Sequence, residues 1–307
     1  YGLGTDNQSL PAFVVMTDPR GGPIGSASNW SAGYMPAAYQ GTLFRSQGTP
    51  LLDLATPPGV TPQTQRESLD LLRRLNQEHL KTRPGDSELA ARIASYELAA
   101  RMQLAIPEVA DLSAEPQHIL KLYGADESGS KILDTRAAYA RNCILARRLL
   151  ERGVRVVQVW SGGGQPWDNH DGLEKQHRAL AQGWDQAIAA FLDDLNNRGM
   201  LDETLVLWGG EFGRTPVAEL PGLSGRDHNH YGFSVWMAGG GVKGGMAFGA
   251  TDELGFRAVE NPVSVHDLHA TMLHLLGFDH ERLTYRLAGR DFRLTDVHGR
   301  VVREIIS

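Results

Sequence analysis

The sequence predicts an α/β protein with a mostly parallel sheet sandwiched between helices. Short apolar, β-branched runs at residues 11–16, 154–160, 204–208 and 233–238 suit buried strands. Long amphipathic patterns at about 134–152 and 172–198 each reach a glycine, Gly153 or Gly199, and then a strand. That order of helix, glycine and strand marks α/β winding. Glycine-rich turns carrying acids and imidazoles follow these strands, and open α/β sheets collect ligands at the carboxyl ends of their strands.

Taken in order, residues 11–16 read as a strand entering from a loop. Residues 17–60 are rich in Gly, Pro, Ser and Ala, with Trp30, Tyr34, Tyr39 and Phe44 interleaved. A stretch of that length without periodicity is expected to pack over the domain body, and its aromatics argue against disorder. At Thr61 the character changes. Thr61 is placed as an N-cap, Pro62 as the first helical residue, and Leu69, Leu72 and Leu75 as an apolar stripe. A second helix opens at Asp86 or Ser87, turns Leu89, Ile93, Tyr96, Leu98, Met102 and Leu104 inward, and is expected to stop at Pro107. The pair forms an αα-hairpin. With a short helix at about 116–123 and a loop at 124–130, it makes a helical insertion spanning about 61–130 within a single domain, 1–307. Arg73, Arg74, Arg92, Arg101, Glu88 and Glu97 read as its solvated face. Residues 263–276 read as a helix stopped by Gly277, and the tail as a final hairpin or strand packed on an edge.

Composition narrows the function classes. The net charge of −6 gives no basic footprint for nucleic acid. No window reaches the roughly 18 apolar residues of a membrane span. The one cysteine, Cys143, excludes an internal disulfide and a cysteine-based metal site. It lies in a helical pattern and reads as a small core residue. No G-x-G-x-x-G follows an early strand and no phosphate-binding P-loop pattern occurs, so the glycine loops do not indicate a nucleotide site.

Three loops carry the candidate chemistry. The first holds Asp168 and His170. The second, at the mouth of TLVLWGGEFGRTP (204–216), holds Glu211 and Arg214. The third holds Arg226, Asp227, His228 and His230. If the strands are parallel and adjacent, these loops share one rim. Carboxylates and imidazoles converging from separate loops suit zinc, manganese, calcium or magnesium. Asp168 and His170 sit two apart, so in extended chain they face the same way, and His228 and His230 repeat the spacing. Asp168, His170, Glu211, His228 and His230 are therefore the candidate ligands. Arg214 or Arg226 could clamp anionic oxygens. His177 reads as a surface residue, and His266, His269 and His274 as structural histidines.

The motifs WDNH, TLVLWGGEFGRTP, GRDHNH, WMAGGGVKGG, GATDELG and HDLHATMLHLLGFD resemble the family catalogued as domain of unknown function 1501 (DUF1501), of the alkaline phosphatase and sulfatase superfamily. The resemblance runs along the whole chain. It implies an alkaline-phosphatase-like fold, an exported, periplasmic bacterial protein, and a divalent ion held by Asp168, His170 and His228. Glu211 stands where an Asp binds a second ion. Phe212 stands where that superfamily usually has a His. The superfamily's nucleophile strand has no counterpart in residues 1–60, where Ser26, Ser28 and Thr42 lack a base, so the chain resembles the larger C-terminal part of such a protein.

The implied activity is metal-dependent hydrolysis of a small anionic phosphate or sulfate ester. Arg214 and Arg226 would serve as clamps, and Asp227 would orient His228 from behind. A non-catalytic binding or scaffold protein, and a metal-dependent mutase or phosphoryl transferase, are the alternatives.

Overall fold

The computed structural model describes residues 4–5, 7–33, 35–36, 39–45, 50–51, 57–129 and 131–307. The chain gathers into two compact units, Tyr1–Pro166 with Ala181–Phe191, and Trp167–Leu180 with Leu192–Ser307.

In the first unit, β1 (Phe13–Met16) lies between β2 (Thr42–Phe44) and β3 (Val156–Val159) in a parallel sheet of order β2-β1-β3. The predicted strands at 11–16 and 154–160 are thus neighbours, with Phe13 beside Val156 and Met16 beside Val159. β2 lies within the stretch that shows no periodicity, because three residues are too few to display one. β1 is buried along its whole length. Its alternate side chains serve two packing clusters, as a period of two requires. Val14 and Met16 pack with Phe44, Met102, Ile106, Leu145 and Leu149. Phe13 and Val15 pack with Trp30. Of the other aromatics expected in this region, Tyr39 is half-buried and Tyr34 falls outside the described residues.

At the end of β1, the buried Asp18 accepts from Arg20 Nε at 2.7 Å and from the Gly162 N–H at 2.8 Å. That carboxylate joins the exits of β1 and β3, where the chain leaves toward Asp168.

Helices α1 (Pro62–Lys81) and α2 (Ser87–Ala110) form the predicted hairpin. Thr61 Oγ1 caps the Thr64 N–H and Asp86 caps the Leu89 N–H. Two details differ from expectation. α2 passes through Pro107 and ends at Ala110, because proline removes one hydrogen bond and the next turn still closes, Asp111 N–H donating to the Pro107 carbonyl. The stripe of α1 is exposed at Leu72 (53%) and Leu75 (57%), as is Tyr96 (71%) on α2. Among the described residues α1 packs chiefly on α2, which leaves Leu72 and Leu75 open to solvent.

α3 (Gln117–Tyr123) and α4 (Lys131–Glu151) complete the unit, and Gly153 (φ 82°) turns α4 into β3 as expected. Cys143 is buried within α4, and burial pushes its thiol up to about 12. Arg147 and Arg148, adjacent on α4, both reach the carboxylate of Glu115 at 2.8 Å, and all three side chains are less than a tenth exposed. Arg147 also meets Glu151, and Arg148 donates to the Glu108 carbonyl.

α5 (Leu173–Asn197) runs through both units. In the second unit, β4 (Val206–Trp208) pairs antiparallel with β7 (Trp236–Ala238), Val206 opposite Ala238. This corrects the expectation of a buried strand in a mostly parallel sheet: the strand is antiparallel to its partner. Leu207 and Trp208 are 39% and 50% exposed. An apolar run does not encode its partner's direction, and the long intervening loop lets the later strand return antiparallel. Short pairs β5–β6 (Gly213–Arg214 with His228–Asn229), β8–β9 (Ala250–Thr251 with Ala258–Glu260) and the predicted terminal hairpin β10–β11 (Thr284–Leu287 with Arg290–Arg293) follow. α6 (Val265–Leu275) opens on a Ser264–Asp267 capping box, and its Thr271 hydroxyl accepts from the Val302 N–H, tying down the tail. The fold is therefore mixed α/β, with one parallel sheet and small antiparallel pairs. No helix among the described residues is long and apolar enough to cross a membrane.

Removing one partner of a buried ion pair strands its charge. Glu115→Ala leaves two buried guanidiniums short of a counter-ion and is expected to destabilise the protein by about 3 kcal/mol, read as a lower urea midpoint. An unchanged midpoint would show that Glu151 and the Glu108 carbonyl suffice for both arginines.

Candidate metal centre

The candidate site lies wholly within the second unit and is assembled by two crossing loops. Residues 167–171 follow the exit of β3. Residues 224–228 lead into β6. Asp171 Oδ1 accepts from both the backbone N–H and the hydroxyl of Ser224, at 2.9 and 2.8 Å. The Ser224 hydroxyl accepts in turn from the Gly172 N–H at 3.0 Å, and the Arg226 N–H donates to the Asn169 carbonyl at 3.2 Å. The crossing is close enough to require glycine. A Cβ on Gly225 would lie 2.0 Å from the carbonyl carbon of His170. A third segment enters through the β5–β6 ladder, whose register sets Arg214 directly opposite His228.

These constraints converge on one oxygen, Asp168 Oδ1. It lies 3.1 Å from His170 Nε2, 2.9 Å from His228 Nε2 and 2.6 Å from Arg214 Nη1. The two Nε2 atoms are 3.3 Å apart. On its far side, His170 Nδ1 lies 3.0 Å from Glu219 Oε2. His170 Nδ1 and Arg214 Nη1 are buried atoms without an aligned hydrogen-bond partner, so each meets its carboxylate as a close contact. Partial burial works to raise the Asp168 carboxyl, but the contacts with His228 and Arg214 and the charge of Arg214 outweigh it and hold the group below its ordinary range. Asp168 is therefore a carboxylate at neutral pH.

A divalent ion fits the residues present. Donors 2.0–2.1 Å from a tetrahedral ion lie about 3.3 Å from one another, close to the three separations found here. Asp168, His170 and His228 thus present one face of such a shell. A second grouping, His170 with Glu219 and Asp227, shares the outer side of His170.

Of the residues singled out in the sequence, the structure brings Asp168, His170, Arg214 and His228 together. Asp227 lies beside them, but its carboxylate accepts the backbone N–H of His228 at 2.7 Å and so steadies main chain, not the imidazole. Arg226 is exposed and donates to the Thr215 carbonyl at 3.3 Å. Glu211 and His230 are exposed and fall outside both groupings. His230 instead stacks on Tyr231, with centroids 3.8 Å apart. β6 ends at Asn229, whose buried amide is held by the Phe256 carbonyl, so the spacing of His228 and His230 does not continue as a strand.

Phe212 packs on the His228 ring with centroids 4.5 Å apart. His177 is half-buried and not a surface residue. Its Nε2 meets the Trp167 carbonyl at 3.1 Å, and its ring packs edge-on to Trp167. The sequence reading missed Glu219, Asp171, Ser224 and Gly225. The usable signal was the glycine within SGRDH, between two polar loops that must approach each other.

The profile of the family described as "Protein of unknown function (DUF1501)" matches residues 1–306. No curated protein and no solved structure matches the chain.

Gly225→Ala should push His170 out of place and weaken zinc binding about 10- to 100-fold, the usual cost of disturbing a ligand's support. Gly183→Ala, which meets open space on α5, is the control; equal zinc affinities in the two variants would refute the close-crossing account. The Asp171–Ser224 clasp makes a second prediction. Ser224 and Gly172 donors hold the Asp171 carboxyl below its ordinary value, so the unfolded chain takes up that proton more readily than the folded one. The clasp's contribution is present above the ordinary Asp range, about 3.9, and is lost as pH falls through the lower folded value. The Ser224 amide resonance should titrate with a midpoint below that range; a midpoint at or above it would contradict the clasp.

Proposed function

We infer that this chain, which belongs to the DUF1501 family, is a metal-dependent hydrolase of phosphate or sulfate esters. The observation that carries this reading is the convergence of Asp168 Oδ1, His170 Nε2 and His228 Nε2 beside the half-buried guanidinium of Arg214. Those three donors would hold the ion. Two imidazoles in the set favour zinc over magnesium or calcium. When bound, a divalent ion polarises an ester oxygen and lowers the pKa of water or a hydroxyl.

The chain's own residues supply the rest. Arg214 keeps its charge at every working pH and can fork onto two oxygens of a tetrahedral anion. At 19% side-chain exposure it is partly withdrawn from solvent, where its field is less screened than at the surface. Arg226, at the exposed rim, is a second contact for the same anion. Phe212 restrains the His228 ring, and Asp227 restrains its backbone.

One observation favours a second reading, a non-catalytic protein that binds oxyanions. The loop hydroxyls are committed elsewhere. Thr215 donates to the Val217 carbonyl and accepts from the Asp227 N–H, while Ser224 clasps Asp171.

Metal content and turnover separate the readings. The purified protein should retain about one divalent ion, lost in Asp168→Ala and His228→Ala. It should hydrolyse an aryl phosphate or aryl sulfate, and Arg214→Met should keep the ion while losing about 10²-fold or more in kcat/KM. A bound ion and measurable phosphate affinity without turnover would establish the binding reading. An ion content unaffected by Asp168→Ala would sink both.

A further inference from the structure

We propose that Glu219 is a positioning residue that fixes His170 in the tautomer offering Nε2 to a metal ion; this rests on the metal-centre reading above. A neutral imidazole has one N–H, and the partner of each ring nitrogen decides which carries it. Two carboxylates compete for the proton of His170. Asp168 Oδ1 stands 3.1 Å from Nε2, and Glu219 Oε2 stands 3.0 Å from Nδ1, a close contact that is not aligned as a hydrogen bond. A proton on Nε2 would block coordination there. A proton on Nδ1 leaves the Nε2 lone pair free.

The surroundings favour Glu219. Asp168 Oδ1 is already engaged by Arg214 at 2.6 Å and by His228 at 2.9 Å, so its pull on a third donor is weakened. The nearby carboxylate of Asp227 is committed to the His228 N–H. Glu219 follows a tethered point, since the Val217 carbonyl accepts from the Thr215 hydroxyl at 2.7 Å and from the Asp227 N–H at 3.3 Å. Gly225 passing against the His170 backbone fixes the base of the side chain, so a contact at Nδ1 is enough to set the ring. The Glu219 side chain is 52% exposed, so water screens its charge and its effect on His170 rests on its closeness to Nδ1.

The tautomer can be read directly. In metal-free protein, long-range proton–nitrogen NMR of the His170 ring should show the proton on Nδ1. Glu219→Ala should move it to Nε2, toward Asp168, and weaken zinc binding about 10- to 100-fold. Glu219→Gln, whose amide oxygen can keep the place of Oε2 beside Nδ1, should restore the tautomer and most of the affinity. The visible bands of cobalt(II) in place of zinc should shift in Glu219→Ala and return in Glu219→Gln. An unchanged tautomer with unchanged zinc affinity in Glu219→Ala overturns the proposal. Zinc binding lost in Asp168→Ala but intact in Glu219→Ala overturns the role of Glu219 alone. Zinc binding indifferent to Asp168→Ala overturns the metal reading, and the NMR measurement then still decides whether Glu219 sets the tautomer.

Discussion

The crossing of two loops at Gly225 is the constraint on which the candidate site depends. A carboxylate and two imidazoles on separate loops have no reason to meet unless the backbones beneath them are clamped. Here the clamp is a glycine lying against the His170 backbone, with the Asp171–Ser224 hydrogen bonds closing one side. Each ordered loop residue costs about 1–2 kcal/mol of backbone entropy. The network of backbone donors and one exposed carboxylate offsets part of that cost without drawing on Asp168, His170 or His228. Asp168, His170 and His228 are left with ring and carboxylate atoms converging on a common point.

Charges of both signs meet at that point. Asp168, Glu219 and Asp227 surround the two imidazoles, while Arg214 approaches the same oxygen from one side. The carboxylates make room for positive charge, and the guanidinium keeps the cluster from becoming a featureless acidic patch. Phe212 adds an apolar face to the cluster, and its ring lies against His228.

Much of this was legible in the sequence, for identifiable reasons. β1 and β3 were readable as apolar runs and Gly153 as the turn between α4 and β3, but that β1 and β3 are neighbours is visible only in the structure. Asp168 and His170 announced themselves by their spacing, and His228 by its place in a polar loop after glycines. What failed was information the local pattern does not hold. The run at Val206–Trp208 could not reveal that its partner runs antiparallel or that two of its residues are exposed. Glu211 looked well placed because its strand was assumed parallel to the first. His230 copied the spacing of His228, but the strand ends one residue before it. Glu219 sits among ordinary loop residues, and its contact with His170 is visible only in three dimensions. The Glu115 pairs with Arg147 and Arg148 were equally hidden, because charges on a helix read as solvent-facing until a neighbouring segment covers them.

α5 bears on how the protein can be divided. Its first turns belong to the unit that carries the metal centre, its middle to the unit with the parallel sheet, and its end to the former again. The middle segment supplies Phe191 to the core around Val14 and Met16, and Trp184 stacks edge-on to Tyr139. A single cut after Pro166 would therefore remove packing residues from one unit and attach them, uncovered, to the other. A fragment that begins after Pro166 thus takes Ala181–Phe191 away from the sheet against which it packs.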